Sequence, residues 1–313
     1  MKIEDGFSRA FIDLARLGRT DWRSVALTIL LVKFLSILLG LISVIVVVSP
    51  IFSEYRFFQI SNAHKTLVFQ VADAIAYIFG FWLACKKILR RPFRSLISTD
   101  MSFDIRRCLL GAALCLGANA LSLIALSLFF SVRAGGWLFP FDHFEWPHHD
   151  DQTVASIGTL VVIPFLAFAE ELVFRGWLTQ TLGHYIRSMI AVAALVAVLF
   201  AATHTQYDFR EKILIMLYSL GLSALSLRDQ RLELAIGAHS MMNVCATLQL
   251  LFFTGPPSPT TIPATTLDFW IIVILKGALP YALMYGVLQK TRGWFAPTDA
   301  RLTSPGDVQS GYL

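Results

Sequence analysis

SVALTILLVKFLSILLGLISVIVVVS occupies residues 24–49 and is long enough to cross a bilayer as one helix. A membrane helix needs about 20 mostly apolar residues, and Lys33 is the single charged side chain of this run. The apolar part of a cleavable signal peptide is shorter, about 7–15 residues. We therefore expect a transmembrane helix that stays in the mature protein.

The rest of the chain repeats this pattern. Only 15% of its residues are charged, whereas soluble domains carry about 25%. The same length criterion predicts eight spans, near residues 24–49, 66–86, 107–132, 154–182, 188–207, 211–227, 233–254 and 268–289. The fold class predicted is all-α, a polytopic transmembrane helical bundle, with one integral membrane domain over residues 24–290.

The basic residues predict the orientation of this bundle. With the N-terminus inside, 18 of the 26 lysines and arginines fall on the inner side, five on the outer side and three within spans. Cytoplasmic loops carry the excess of lysine and arginine, so we predict an N-in, C-in topology with a cytoplasmic tail over residues 291–313. Topology also explains the net charge of +5. Because no basic face with interleaved aromatic residues is present, we expect no nucleic-acid partner.

The N-terminal residues 1–23 are expected to lie on the cytoplasmic side. Five apolar side chains recur there at helical spacing among arginines and acidic residues, which is typical of an amphipathic helix at a membrane interface. They are Ile3, Phe7, Phe11, Leu14 and Leu17. The alternative is a partly ordered basic tail.

The fourth predicted span carries an unusual set of charges. Residues 169–176 read AEELVFRG, so two adjacent carboxylates, Glu170 and Glu171, lie in an apolar helix with Arg175 four residues after the second. Ionisable side chains inside a membrane are costly unless paired, and each is a candidate for function. Residues i and i+4 share a helix face. We therefore expect Arg175 to pair with Glu171, which leaves Glu170 free to act as a base.

Two later spans add imidazoles and an amide. The fifth ends in FAATH, residues 200–204, and the seventh contains HSMMN, residues 239–243. Taken alone, His204 reads as an interfacial residue, and His239 with Asn243 as a hydrogen-bonding pair between helices. Together with the glutamates, they supply what peptide hydrolysis requires, a base for water and donors for a developing oxyanion. The predicted span centres place His204 and His239 at different depths, so a tilt or a kink at Pro164 must bring them together.

The ordered signature Glu-Glu-x-x-x-Arg, Phe-x-x-x-His and His-x-x-x-Asn on successive membrane helices resembles the CPBP family, the CAAX proteases and bacteriocin-processing enzymes, also called the Abi family. The resemblance covers about residues 150–255. The matching positions are Glu170, Glu171, Arg175, Phe200, His204, His239 and Asn243. No motif of this family is recognised in the first three spans or the tails.

The resemblance implies an intramembrane endopeptidase similar to type II CAAX prenyl proteases, acting on a membrane-associated, prenylated or peptide substrate among membrane lipids. It implies that Glu170 with His204 activates a water, that His239 with Asn243 stabilises the oxyanion, and that Glu171 with Arg175 supports the site. Two histidines and a glutamate could also hold zinc, with Glu170, His204 and His239 as ligands. The metal-free glutamate mechanism is preferred here over a metalloprotease.

Two other functions remain open from the sequence. A non-catalytic immunity or scaffolding protein could keep this fold, although such a relative is expected to lose a glutamate or a histidine. A proton-coupled transporter could also use buried carboxylates and histidines, but internal repeats are not detectable. The short basic loops and the habit of the family favour a bacterial inner membrane.

Overall fold

The computed structural model describes residues 3–4, 7–48, 62–137, 150–252 and 265–295. Within these ranges, the chain is helical apart from a two-residue antiparallel pairing of β1 (Ile3–Glu4) with β2 (Phe7–Ser8). The all-α class predicted from the apolar runs is therefore confirmed.

The helices follow the apolar runs in order. They are α1 (Ala10–Asp13), α2 (Trp22–Val48), α3 (Asn62–Ala84), α4 (Ile105–Ala134), α5 (Asp150–Glu171), α6 (Thr179–Tyr185), α7 (Met189–Thr203), α8 (Phe209–Asp229), α9 (Glu233–Phe252), α10 (Thr266–Ile272) and α11 (Leu279–Thr291). Wider π-helical turns occupy Cys85–Leu89, Leu172–Leu178 and Val273–Ala278. Shorter 3₁₀ turns occupy Leu14–Leu17 and Phe93–Leu96. Each predicted span coincides with a helix or with helices joined by a π-helical turn.

Four helical stretches of the described chain are long and apolar enough to cross a membrane. They are Trp22–Ile45, Leu67–Leu89, Ile105–Ala134 and Thr266–Thr291, while Met189–Thr203 is a shorter apolar helix. Large apolar side chains are exposed along these stretches, for example Leu30, Phe34 and Leu109. A bilayer is the solvent in which such surfaces are stable, so the protein is an integral membrane protein.

Helix α9 lies at the centre of the bundle, where it packs against α4, α5 and α8. Residues 231–240 are buried throughout. Two glycines allow the backbones of α4 and α9 to touch. A Cβ atom at Gly111 would lie 2.3 Å from the carbonyl oxygen of Leu234, and one at Gly237 would lie 1.9 Å from that of Cys108. Small residues at such a crossing let membrane helices approach closely.

The connection between α7 and α8 is short and capped. Helix α7 ends at Thr203, and Asp208 is the N-cap of α8. The Asp208 carboxylate accepts from the Glu211 N–H at 2.8 Å, and the Glu211 carboxylate accepts from the Asp208 N–H at 3.1 Å. This capping box fixes the start of α8 and leaves His204 in the connecting turn.

The single amphipathic helix expected over residues 1–22 does not form, and this prediction is corrected. Helical turns cover Ala10–Asp13 and Leu14–Leu17 only. Phe11 and Leu14 are buried against other helices, so apolar surface that we assigned to lipid is satisfied within the protein.

Five segments that the sequence assigns to one side of the membrane meet at one end of the bundle. Hydrogen bonds join Arg19 to Leu89, Tyr185 to Thr20, Leu232 to Ile97 and Phe295 to Asp229. The N-terminal segment, the turn after α3, the turns after α6 and α8, and the chain after α11 are therefore neighbours.

Candidate active site

The candidate site begins where α5 gives way to its π-helical turn. Glu171 is the last residue of α5, and Arg175 lies in the turn Leu172–Leu178. The Arg175 Nη1 donates to Glu171 Oε1 at 2.7 Å, and both side chains are fully buried. The ion pair expected from their spacing is thus present, in a helical distortion of the kind often found at functional sites.

Arg175 is also fixed by two neighbouring helices. Its Nη2 donates to the Ser219 hydroxyl at 2.7 Å and to the Ser219 carbonyl at 3.1 Å, both on α8. Its guanidinium lies 4.7 Å from the ring centroid of Phe200 on α7. Since a buried charge must be well satisfied, these contacts place the Glu171 carboxylate in one orientation.

His239 on α9 lies between the two glutamates. Its Nδ1 is 2.8 Å from Glu171 Oε1, and its Nε2 is 3.6 Å from Glu170 Oε2. A carboxylate can only accept, so Nδ1 carries a proton that it donates to Glu171. The remaining nitrogen, Nε2, faces Glu170. Glu171 therefore has a larger part than the supporting role that the sequence suggested, because it orients His239.

Glu170 differs from its neighbour. Its side chain is 36% exposed. Within the described part of the chain, its Oε2 and the Oε2 of Glu171 are buried oxygens without a hydrogen-bond partner. Buried polar atoms are nearly always hydrogen-bonded. These two acceptors therefore mark a place suited to a water or to a polar group of a substrate.

His204 occupies the C-cap position of α7. Its Nδ1 is 2.8 Å from the Phe200 carbonyl oxygen, which fixes the Nδ1 proton and leaves Nε2 as an acceptor in the neutral ring. Among the described residues, no hydrogen bond or ion pair joins His204 to Glu170 or to His239. The neighbour of Glu170 in the described structure is His239, whose Nε2 lies 3.6 Å from Glu170 Oε2, and the shared activation of a water by Glu170 and His204 stays a prediction.

Phe200 accounts for this separation. Its ring centroid is 4.6 Å from that of His204 and 5.9 Å from that of His239. The Phe200 ring thus lies between His204 and His239, the two residues that the sequence placed at different depths in the membrane. The position of Asn243 follows from the helix, since it lies one turn after His239 on α9 and is half-buried.

A zinc site on Glu170, His204 and His239 is not supported. In the described ranges, no three side chains of histidine, cysteine, aspartate or glutamate are grouped so that they could hold a metal ion. The Nδ1 of His239 contacts Glu171, and the Nδ1 of His204 contacts a backbone carbonyl, which leaves the Nε2 atom of each ring available. Because these donors are not grouped within the described residues, the metalloprotease interpretation is not supported.

Ser219 was not recognised from the sequence. It lies in α8, within a run of serines and leucines that carries no motif. Its role comes from packing, because it meets Arg175 across 44 positions of sequence. The one feature of the sequence that could have indicated Ser219 is its polar side chain in a membrane helix, because such side chains usually face the interior of the bundle.

The segment that carries these residues is similar to known proteins. Residues 152–245 match the family model described as type II CAAX prenyl endopeptidase Rce1-like. The "Uncharacterized protein YyaK" of Bacillus subtilis (strain 168) is 26% identical over 183 residues, which cover 54% of this chain and 57% of that protein. The chain thus spans little more than half the length of this relative. No solved structure shows a significant match to the chain. The resemblance read from the motifs is confirmed for the segment that carries them.

Proposed function

We propose that this protein is an intramembrane endopeptidase that hydrolyses a peptide bond of a membrane-associated or lipidated protein or peptide. The proposal proceeds from the match of residues 152–245 to a CAAX prenyl endopeptidase family, which supports a peptidase. The observation that carries it is His239, which lies between Glu171 at 2.8 Å and Glu170 at 3.6 Å.

The charges of this cluster can balance. Two carboxylates, Glu170 and Glu171, face one guanidinium, Arg175, and one imidazole, His239. With a proton on each ring nitrogen, His239 is positively charged, so the two carboxylates and the two cations sum to zero net charge. A neutral group is the least costly state in a membrane interior. Its Nε2–H then becomes a donor at the edge of the site.

The reaction follows from these positions. Glu170 removes a proton from a water as the water oxygen attacks the scissile carbonyl carbon. The carbonyl oxygen becomes an oxyanion, which accepts from the Nε2–H of His239 and from the Asn243 amide. As the C–N bond breaks, Glu170 returns the proton to the leaving amine. No step requires a metal.

His204 is assigned to the water rather than to Glu170 directly. Because its Nδ1 donates to the Phe200 carbonyl, its Nε2 is free to accept from a water. Two acceptors, one carboxylate and one imidazole, would hold the water in place before attack.

The proposed topology has eight crossings with both termini inside, in a bacterial inner membrane. It is supported by the gathering of the basic segments at one end of the bundle. Four consecutive stretches of chain leave this end and return to it, which is consistent with four pairs of crossings. The excess of basic residues favours the cytoplasm for this end.

Quantitative proteomics of new protein termini in the membrane fraction tests the function. Peptides that appear with the wild type should disappear with Glu170→Gln and with His204→Ala. The matched control is Asp73→Asn, which removes a carboxylate in another membrane helix, where it accepts from the Ser36 hydroxyl. A chelator is expected to leave processing unchanged. Processing that continues in stably inserted Glu170→Gln protein would contradict the proposal and favour a non-catalytic role.

A further inference from the structure

A groove whose lining includes none of the motif residues runs between α3 and α5. It has a volume of about 520 Å³ and is lined by apolar side chains from α3, from the 3₁₀ turn Phe93–Leu96 and from α5. The lining residues are Ile75, Ile78, Phe79, Trp82, Phe93 and Phe165. Volumes of this order accommodate small-molecule ligands, and an apolar groove on a membrane-crossing helix faces acyl chains.

One end of the groove is strongly basic. The Nζ of Lys86 lies 5.4 Å from the ring centroid of Trp82, which itself stacks on Phe79. The chain then reverses at Arg90, whose φ of 53° lies in the left-handed region. Arg94 follows Phe93 directly. Lys86 therefore lies directly against the apolar lining, and Arg94 is adjacent in the chain to the lining residue Phe93.

These cations have no acidic partner among the described residues. No aspartate or glutamate occurs between residues 74 and 99. Lys86, Lys87, Arg90 and Arg94 are exposed, and in the described part of the chain none of them forms an ion pair. Arg91 differs because it is buried and donates to Gln180 at 2.7 Å. Two of these exposed cations adjoin lining residues of the groove, since Lys86 contacts Trp82 and Arg94 follows Phe93.

We propose that this surface is a binding site for an anionic phospholipid. An acyl chain occupies the apolar groove, and the phosphate contacts Lys86 and Arg94, with Trp82 at the level of the headgroups. Basic pockets between membrane helices bind anionic lipid headgroups in this manner, and tryptophan prefers the same level of the bilayer. The charge of the rim selects an anionic lipid over a zwitterionic one.

Native mass spectrometry of the full-length protein in detergent tests the headgroup. Palmitoyl-oleoyl phosphatidylglycerol should be retained in preference to palmitoyl-oleoyl phosphatidylcholine. Each basic residue near an anionic surface strengthens binding about fivefold, so the double variant K86Q/R94Q should lose about 25-fold in phosphatidylglycerol binding. R106Q is the matched control, because Arg106 is exposed at the start of α4, away from the groove. Equal retention of the two lipids by the wild type would overturn the proposal.

Brominated lipids test the groove. Phosphatidylglycerol with a brominated acyl chain should quench tryptophan fluorescence more than brominated phosphatidylcholine, and Trp82→Phe should remove this difference. A difference between the two lipids that persists in Trp82→Phe would place the lipid elsewhere. Displacement of the phospholipid by an acylated peptide, or its exclusion by dimer formation, would assign the groove to another occupant and overturn the proposal.

The lipid site does not depend on the proposed peptidase activity. Glu170→Gln should bind phosphatidylglycerol as the wild type does, because Glu170 does not line the groove. Loss of lipid binding in K86Q/R94Q with normal processing would leave the two proposals separate.

Discussion

Two adjacent glutamates show how strongly one residue of spacing changes the environment of a side chain. Glu171 is fully buried and accepts from Arg175 and His239. Glu170 is partly exposed and accepts no hydrogen bond within the described residues. Successive residues of a helix differ by about 100° in direction. One glutamate therefore belongs to the structure of the site, and the other is available for chemistry.

Removal of the negative charge at Glu171 should lower both stability and activity. Removal of the charge at Glu170 should lower mainly activity. Glu171→Gln leaves the buried Arg175 without its counter-charge, which costs about 3–5 kcal/mol. Glu170→Gln should lower the free energy of unfolding by less than Glu171→Gln does, because the Glu170 side chain is partly exposed and is not the partner of Arg175. Denaturant unfolding in detergent, together with the terminal proteomics, measures both effects. Equal destabilisation by the two variants would contradict the division of roles.

Ser219 provides a second test at the residue scale. Its hydroxyl accepts from a buried guanidinium, and such hydrogen bonds contribute about 1.5–3 kcal/mol. We expect Ser219→Ala to reduce stability by that amount and to slow processing, because Arg175 and then Glu171 lose their fixed positions.

The control for this change lies four residues later. Ser223 is buried on the same helix, but its hydroxyl has no partner among the described residues. Ser223→Ala should be neutral or stabilising. Thermal unfolding and processing assays compare the two variants, and an equal loss from both would show that the contact with Arg175 is not what matters.

The sequence indicated some of these residue contacts and not others. The Glu171–Arg175 ion pair follows from spacing within one helix, so local geometry was sufficient. The pairing of His239 with both glutamates and the separation of His204 depend on how α5, α7 and α9 pack. Those relations involve tilt and contact between helices, which hydrophobic patterning does not encode.

At the scale of elements, the apolar runs predicted where helices occur but not how they are wound. The fifth span was expected to reach residue 207, whereas α7 ends at Thr203 because Asp208 caps the next helix. The π-helical turns, including the one with Arg175, were not predicted. The composition of a segment predicts that it is apolar and helical. Whether one of its turns is an α-helical or a wider π-helical turn depends on how the neighbouring helices pack against it.

The crossing of α4 and α9 gives a prediction at this scale. A methyl group at Gly237 would meet the backbone of Cys108, so Gly237→Ala must separate the two helices. Overpacking of this kind costs about 1–3 kcal/mol, and it would move His239 and Asn243 with α9. We expect lower thermal stability and slower processing.

Gly117 on α4 is the matched control. A Cβ atom there would meet nothing within 4 Å. Gly117→Ala should be neutral or should stabilise by up to about 1 kcal/mol, since alanine is the better helix former. Similar melting temperatures for both variants would argue against a backbone contact between α4 and α9.

At the scale of the whole molecule, the number of membrane crossings remains a prediction. The side of the membrane on which one residue lies distinguishes eight crossings from four. If only the four longest apolar stretches cross, Arg187 lies on the outer side, whereas eight crossings place it inside. Arg187→Cys should therefore react with a membrane-impermeant maleimide only after permeabilisation. The native cysteines are buried or half-buried, so background labelling should be low.

Two reference positions calibrate the labelling. Arg106→Cys is inside under either count, and Gly136→Cys is outside under either count. Eight crossings require Arg187→Cys to behave like the first. Labelling of Arg187→Cys in intact cells, as at Gly136→Cys, would exclude this topology.

The position of Phe200 offers a way to observe the site without a substrate. One ring touches the guanidinium of Arg175 and the imidazoles of His204 and His239. A fluorine atom on this ring would sense the electric field of all three groups. Replacement of Phe200 by fluorophenylalanine would thus convert the centre of the protein into a fluorine NMR reporter, in which each histidine that gains a proton shifts a single resonance.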